Sequence, residues 1–157
     1  MPNVHTGAVS VVEATPDDWA QWRLLRQRSL TEDPEAFASS VTMWTGDHDV
    51  EARWRQRLAD GPCFLARAGA TPVGMAGGRR DGADAELISM WVAPEARGRG
   101  VGRLLIEAVV GWSDASVLSL RVIDGNSAAI GLYTSLGFAL DEGCADAEGC
   151  RRMRLRR

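Results

Sequence analysis

Apolar positions change rhythm along the chain, and each change marks an element. Val9 to Glu13 alternates weakly and predicts a first strand. Thr15, Pro16 and Asp18 then signal a helix start: a hydroxyl cap, a proline in the first turn and an acid near the positive end of the helix dipole. Trp19, Trp22 and Leu25 follow at helical spacing, so a helix is expected to about Leu30. Asp33-Pro34 breaks it, and a short helical stretch around Glu35 to Phe37 follows. A second helix is expected from Asp49 to Ala59, closed by Asp60-Gly61-Pro62.

Beyond Pro62 the rhythm shortens. Cys63 to Ala68, Pro72 to Arg80 and Ala85 to Val92 read as strands joined by short turns, an antiparallel meander. Val101 to about Ser113 is a helix, with Val101, Leu104, Leu105, Ala108, Val109 and Trp112 as its apolar stripe. Val117 to Val122 is a strand and Asn126 to Leu136 a helix. Phe138 to Cys144 and Cys150 to Leu155 form a closing hairpin. The strand–helix–strand run from Ala85 to Val122 is a crossover, which pairs those strands in parallel. The expected fold is α/β: one domain over residues 1–157, with a mixed, mostly antiparallel sheet flanked by helices.

Composition narrows the function. The chain of 157 residues is 45% hydrophobic and 25% charged, enough to build a core. No apolar run reaches the roughly 18–20 residues of a membrane helix, and the N-terminus lacks the charged and apolar regions of a secretory signal, so a cytoplasmic protein with no membrane partner is expected. A net charge of −3 argues against nucleic acid as a partner. Every basic residue is Arg, which excludes a P-loop because that loop needs its Lys. Three Cys and two His offer no metal-ligand spacing, so no metal is expected. The cysteines read as free thiols, with a redox bridge between Cys144 and Cys150 as the alternative.

The stretch from Val92 to Arg103 carries the most chemistry. A strand ends, a proline-containing turn intervenes, and a glycine-rich loop opens a helix. The first turn of a helix has unpaired N–H groups and partial positive charge. Gly98, Gly100 and Gly102 let those amides approach an anion, and Arg97, Arg99 and Arg103 surround it with cations. A pyrophosphate suits this arrangement. The dinucleotide fingerprint of a Rossmann fold would need Gly where Arg103 stands, with Asp124 as its ribose acid, and would normally open its domain. A solvated glycine-rich turn is the bland alternative.

This segment resembles the coenzyme A signature of the GCN5-related N-acetyltransferase superfamily, Arg/Gln-x-x-Gly-x-Gly/Ala, here Arg97 to Gly102. The preceding Val92-Ala93-Pro94-Glu95 is also typical. A second stretch, Asn126 to Tyr133 followed by Leu136-Gly137-Phe138, matches independently, in the right order and on the right elements. The resemblance covers roughly Pro62 to Leu155. It implies an N-acetyltransferase that uses acetyl-CoA as co-substrate.

The resemblance also implies roles. The strand before the loop splays from its neighbour, and the pantetheine arm pairs with backbone near Met90, Trp91 and Val92. Amides from Gly98 through Val101 and Gly102 to Arg103 hold the pyrophosphate. Asn126 contacts the cofactor, or serves only as a helix cap. Tyr133 stands near the thioester sulfur, where a neutral phenol can donate to the departing thiolate; its alternative is a ring packed in the core. An alkylamine is almost wholly protonated near pH 7, a deficit of about 4 kcal/mol, so a base is needed. Glu86 is the candidate, in an unbulged strand sharing a face with Ile88 and Met90; otherwise it is a strand-entry acid in water. Branches that acetylate protein N-termini often carry Glu five residues before the Asn, where this chain has Arg121.

The acceptor pocket is expected from the two N-terminal helices, their connection and the closing hairpin, with Phe37, Ser39, Ser40 and Trp44 as lining candidates. Of the six Trp, Trp44 and Trp91 are the ones whose ring could hold a cationic amine. A small-molecule amine is the expected acceptor, for a monomer or homodimer. A protein N-terminus or lysine, and a non-catalytic acyl-CoA sensor, are the alternatives.

Overall fold

The computed structural model describes residues 8–157. The strands are β1 (Val9–Glu13), β2 (Cys63–Ala68), β3 (Thr71–Asp81), β4 (Asp84–Val92), β5 (Val117–Ile123), β6 (Ala139–Leu140) and β7 (Cys150–Arg156). They form one sheet in the order β1-β2-β3-β4-β5-β7-β6. Every pairing is antiparallel except β4 with β5, joined in parallel through the crossover helix. The α-helices among the described residues are α1 (Trp19–Glu32), α2 (Glu51–Asp60), α3 (Val101–Trp112) and α4 (Ser127–Ser135). The mixed, mostly antiparallel α/β fold expected from the sequence is therefore the fold observed.

Each face of the sheet carries its own core. Helices α3 and α4 cover one face, with Val101, Leu105, Ile106, Val109 and Tyr133 packed on Leu87, Leu118, Leu120 and Met153. Burying four such aliphatic side chains on α3 contributes roughly 1.5–3 kcal/mol each. Helices α1 and α2 cover the other face with Trp22, Leu25, Trp54 and Leu58 against Leu65, Met75 and Trp91. Close approach of α3 to β3 requires bare backbone. A Cβ on Gly74 would lie 2.9 Å from Leu105, and one on Gly78 would lie 2.5 Å from the Trp112 ring.

Two sequence expectations need correction. Leu104 is 39% exposed, because the face of α3 that meets the sheet runs through Val101, Leu105, Ile106 and Val109. The strand expected over Phe138 to Cys144 is only Ala139–Leu140, since β7 lies between β5 and β6 and leaves β6 at the sheet edge. The reading of the cysteines as free thiols holds: Cys144 and Cys150 form no bridge, and Cys63 is free and buried, its thiol pushed by burial up to about 11.

Asp49, just before α2, ties the two N-terminal helices together. It accepts from Arg23 Nε of α1 at 2.7 Å and from the Trp54 indole N–H of α2 at 2.8 Å. The Arg23 guanidinium holds its carboxyl down to about 2. A carboxyl lowered by folding stabilises the protein fully above its ordinary value of 3.8 and loses that contribution as pH falls through about 2. Asp49→Ala, which leaves the buried indole N–H unpaired, should cost about 1–3 kcal/mol in urea unfolding near neutral pH. The gap from wild type should narrow as pH falls from about 4 to about 2. Equal stability of the two proteins near pH 7 would remove this bolt from the account.

Candidate active site

Strand β4 does not run straight. Met75 pairs with Trp91, but Gly77 pairs with Ile88, so β4 carries one extra residue between them. Ser89 sits in that interval with φ 55°, an uncommon conformation for a residue with a Cβ. The bulge reverses the alternation of side chains beyond it. Glu86, Ile88 and Trp91 register with Arg79, Gly77 and Met75 on the α1–α2 face, whereas Met90 packs into the α3–α4 core. The expectation that Glu86 shares a face with Met90 is therefore corrected.

Pairing between β4 and β5 lasts for only two positions, Ala85 with Leu118 and Glu86 with Ser119. Past them the strands part, and a cavity of about 920 Å³ opens between Leu87 to Met90 of β4 and Leu120 to Ile123 of β5. Tyr133 of α4 lines its inner end, 8% exposed, with its ring edge-on to Phe138 at 5.8 Å. Burial pushes the phenol well above its ordinary value, so it stays protonated at any physiological pH. Glu86 also lines the cavity, its side chain 10% exposed, and its Oε2 accepts from Arg79 at 2.7 Å. Both faces of the gap thus present an acid-base group to one space.

The glycine-rich loop lies where β4 meets α3. Gly98 and Gly100 both have φ 79°, and Gly100 caps α3 in the left-handed region. Nothing lies within 4 Å of the Cβ position of either. Gly102 differs: a Cβ there would meet Leu132 at 3.0 Å and Met90 at 3.4 Å. It brings α3 against α4 and leaves the helix start open.

The arginines divide their work. Arg97 donates to the Val92 carbonyl at 3.0 Å and to Asp33 at 3.1 Å, tying the loop to the end of α1. Arg103 lies beside Glu107 and Ser135. Arg99 is exposed and makes no ion pair among the described residues. Asn126 Oδ1 accepts from the Ala129 N–H, so it is the cap of α4, and the residue also lines the cavity.

The end of the cavity where an acceptor is expected is built from α1, α2 and the connection between them. Phe37 and Trp44 line the cavity there, and Trp44 stacks on Trp54 at 4.6 Å. The side chains of Ser39 and Ser40 lie outside the described residues. Trp91 does not line the cavity; its indole N–H donates to Asp33 at 2.7 Å in the core. Two residues missed by sequence reasoning also line this end, Arg26 and Arg57.

A profile of the acetyltransferase (GNAT) family matches residues 19–138. The chain belongs to this family. Among curated proteins it resembles N-alpha-acetyltransferase RimI of Mycobacterium tuberculosis, 39% identical over 77 residues, which cover 46% of this chain and 49% of the relative. The match thus spans about half the length of that relative. Among solved structures the fold resembles the PaiA N-acetyltransferase of Thermoplasma acidophilum in complex with coenzyme A, TM-score 0.75 at 16% identity, covering 96% of this chain and 99% of that one. It also resembles yncA of Salmonella typhimurium, a putative acetyltransferase with acetyl-CoA, TM-score 0.74 at 20% identity, covering 96% and 94%. At these identities the structures show a shared fold. Among the described residues no helix is long and apolar enough to cross a membrane, and no His, Cys, Asp and Glu group could hold a metal.

Proposed function

We propose that this protein transfers the acetyl group of acetyl-CoA to the primary amine of a small molecule by direct attack. The observation that carries the reading is the cavity where β4 and β5 part, which places a buried, protonated Tyr133 and the Glu86 carboxylate around one space. Acetyl-CoA brings the acetyl group as a thioester, whose sulfur leaves as a thiolate.

The residues present fit that co-substrate. From Ile88 to Val92 the gap side of β4 has no partner strand, and apart from the Val92 carbonyl, which Arg97 holds, its main chain around Met90, Trp91 and Val92 can pair with the amides of a pantetheine arm. The loop and the first turn of α3, from Gly98 and Arg99 through Val101 to Arg103, offer open N–H groups and the positive end of a helix dipole to a pyrophosphate. Arg97 holds the loop in place, and Asn126 faces the same cavity from the start of α4.

Glu86 takes a proton from the acceptor's ammonium, directly or through water, and so frees the neutral amine to attack the thioester carbonyl. Its Oε1 has no protein donor among the described residues, so it can accept. Tyr133 donates to the departing sulfur, and its raised pKa keeps the proton on the phenol until charge develops there. The reading of a protein N-terminus as acceptor is favoured by the likeness to RimI. Against it, position 121 carries a cation, and Arg121 is already paired with Asp146 at 2.6 Å and Glu148 at 3.5 Å.

Gly100→Glu should abolish binding of coenzyme A in a calorimetric titration, since it puts bulk, strain and like charge at the pyrophosphate; unchanged affinity would move the site elsewhere. Tyr133→Phe should lower kcat roughly 10²-fold or more while the affinity for acetyl-CoA stays within a few-fold. An equal loss in both would make Tyr133 a packing residue. Glu86→Gln should lose most activity at low pH and recover as pH rises toward the amine's own pKa of about 10. A profile matching wild type at every pH would remove Glu86 from the reaction.

A further inference from the structure

Helix α1 buries Trp22, Leu25, Arg26, Ser29 and Leu30, the i, i+3, i+4, i+7, i+8 stripe of a core-facing helix. An arginine stands in the middle of that stripe. Arg26 is 5% exposed, and its buried Nη1 has no hydrogen-bond partner among the described residues. Its guanidinium lies 4.7 Å over the Phe37 ring, which screens it from water and supplies no acceptor. On α2, Arg57 repeats the pattern: its Nη2 is buried and unpartnered, and its guanidinium lies 5.8 Å over the Trp22 ring. Both residues line the cavity. Burial and the neighbouring Arg57 cation pull Arg26 down to about 10, still charged at pH 7.

Two adjacent cations without an anion are an unfavourable arrangement for a core. A buried charge left unpaired costs several kcal/mol, and apolar side chains of similar volume would hold the helices better. Four acids line the cavity and none relieves it: Glu86 is paired with Arg79 and Glu148 with Arg121, and neither Glu35 nor Asp60 forms an ion pair with Arg26 or Arg57 among the described residues. The backbone makes room instead. A Cβ on Gly77 would lie 2.7 Å from Arg57 Nη2, so only glycine leaves the guanidinium where it is. Gly77 registers with Ile88, and Arg79, two residues along the same strand, registers with Glu86. Arg57 Nη2 therefore lies about one strand repeat, roughly 7 Å, from the level of Glu86 and on the same face of the sheet.

We propose that Arg26 and Arg57 form an oxyanion site at the acceptor end of the cavity, and that the acceptor is a small amine carrying a carboxylate. The inference rests on the acetyl-transfer reading for the amine, and on the two guanidinium groups alone for the anion. The carboxylate fills the fork between α1 and α2 and supplies the missing acceptors, which sets the amine one strand repeat away beside Glu86. Guanidinium groups match carboxylate geometry with paired N–H bonds, so the site both holds the acceptor and fixes its reach.

The test uses α-amino acids and ω-amino acids of increasing length, each beside its carboxamide, with an aminophosphonate as the second oxyanion. Acetyl transfer should favour the acids over their carboxamides by about 100-fold or more in kcat/KM, because the amide leaves both guanidinium groups unpaired. Arg26→Met and Arg57→Gln should each collapse that ratio to within a few-fold, with acetyl-CoA affinity unchanged. Arg26→Met should also melt at the same temperature as wild type or higher, since it removes an unpaired buried charge. Preference for the aminophosphonate would replace the carboxylate by a phosphoryl group at the same site and overturn the carboxylate assignment. A second arm reads binding without turnover, as quenching of Trp22 and Trp44 fluorescence by N-acetylated amino acids and their carboxamides. Acids that bind through Arg26 in a protein that acetylates no amine would sink the transfer reading and keep the oxyanion site. Acetylation of uncharged amines, with an acid-to-amide ratio near one, would overturn the oxyanion site and keep the transfer reading.

Discussion

A sheet that stops pairing part-way along two neighbouring strands must give its open backbone groups to something else. Strands β4 and β5 touch at two positions and then diverge. Unpaired N–H and C=O groups in a protein interior cost free energy comparable to a lost hydrogen bond each. Divergence is thus stable only where the gap opens to water or to a ligand with matching groups. The bulge at Ser89 makes the divergence possible, because an extra residue bends and twists β4 away from β5 while it stays paired with β3. The cavity, the placement of Tyr133 and the exposure of the α3 start all follow from this one interruption.

Packing on the α3 face keeps that gap from closing. The bare backbone of Gly74 and Gly78 seats α3 tightly on β3, and Gly102 seats it against α4. Those contacts leave the helix no freedom to slide over the opening, so its N-terminus stays at the mouth of the gap. On the opposite face, Asp33 joins the end of α1 to Trp91 and Arg97, and Arg28 pairs with Glu95 in the turn before the loop. The loop is held from both sides by contacts that leave its own amides free. The family's reaction needs such a site: little covalent chemistry from the protein, but fixed donors where charge develops.

Much of this could be read from the chain. Helix starts, glycine turns and the change from helical to alternating rhythm placed nearly every element, since each has a local cause. The loop from Arg97 to Arg103 was legible because glycines at the start of a helix have few other reasons to cluster. The bulge was not, because Ser89 carries no local signal; its φ of 55° is imposed by pairing on one side and none on the other. The faces of Glu86 and Met90 were misjudged for that reason alone. Arg26 was a missed signal of a different kind. It falls four residues after Trp22 and next to Leu25, inside the stripe that predicted α1, where a charge contradicts the pattern around it. The pairing of Arg57 with Gly77 could not be seen, because it joins α2 to β3 across the fold.

The central claim is that the gap between β4 and β5 and the start of α3 together hold acetyl-CoA. Isothermal titration of the purified protein with acetyl-CoA, beside free coenzyme A and NADH at moderate salt, tests it most directly. The account predicts saturable binding of acetyl-CoA at one site per chain and no binding of NADH. Absence of binding by either form of coenzyme A, in protein that unfolds cooperatively, would contradict it and leave the opening in the sheet without a ligand.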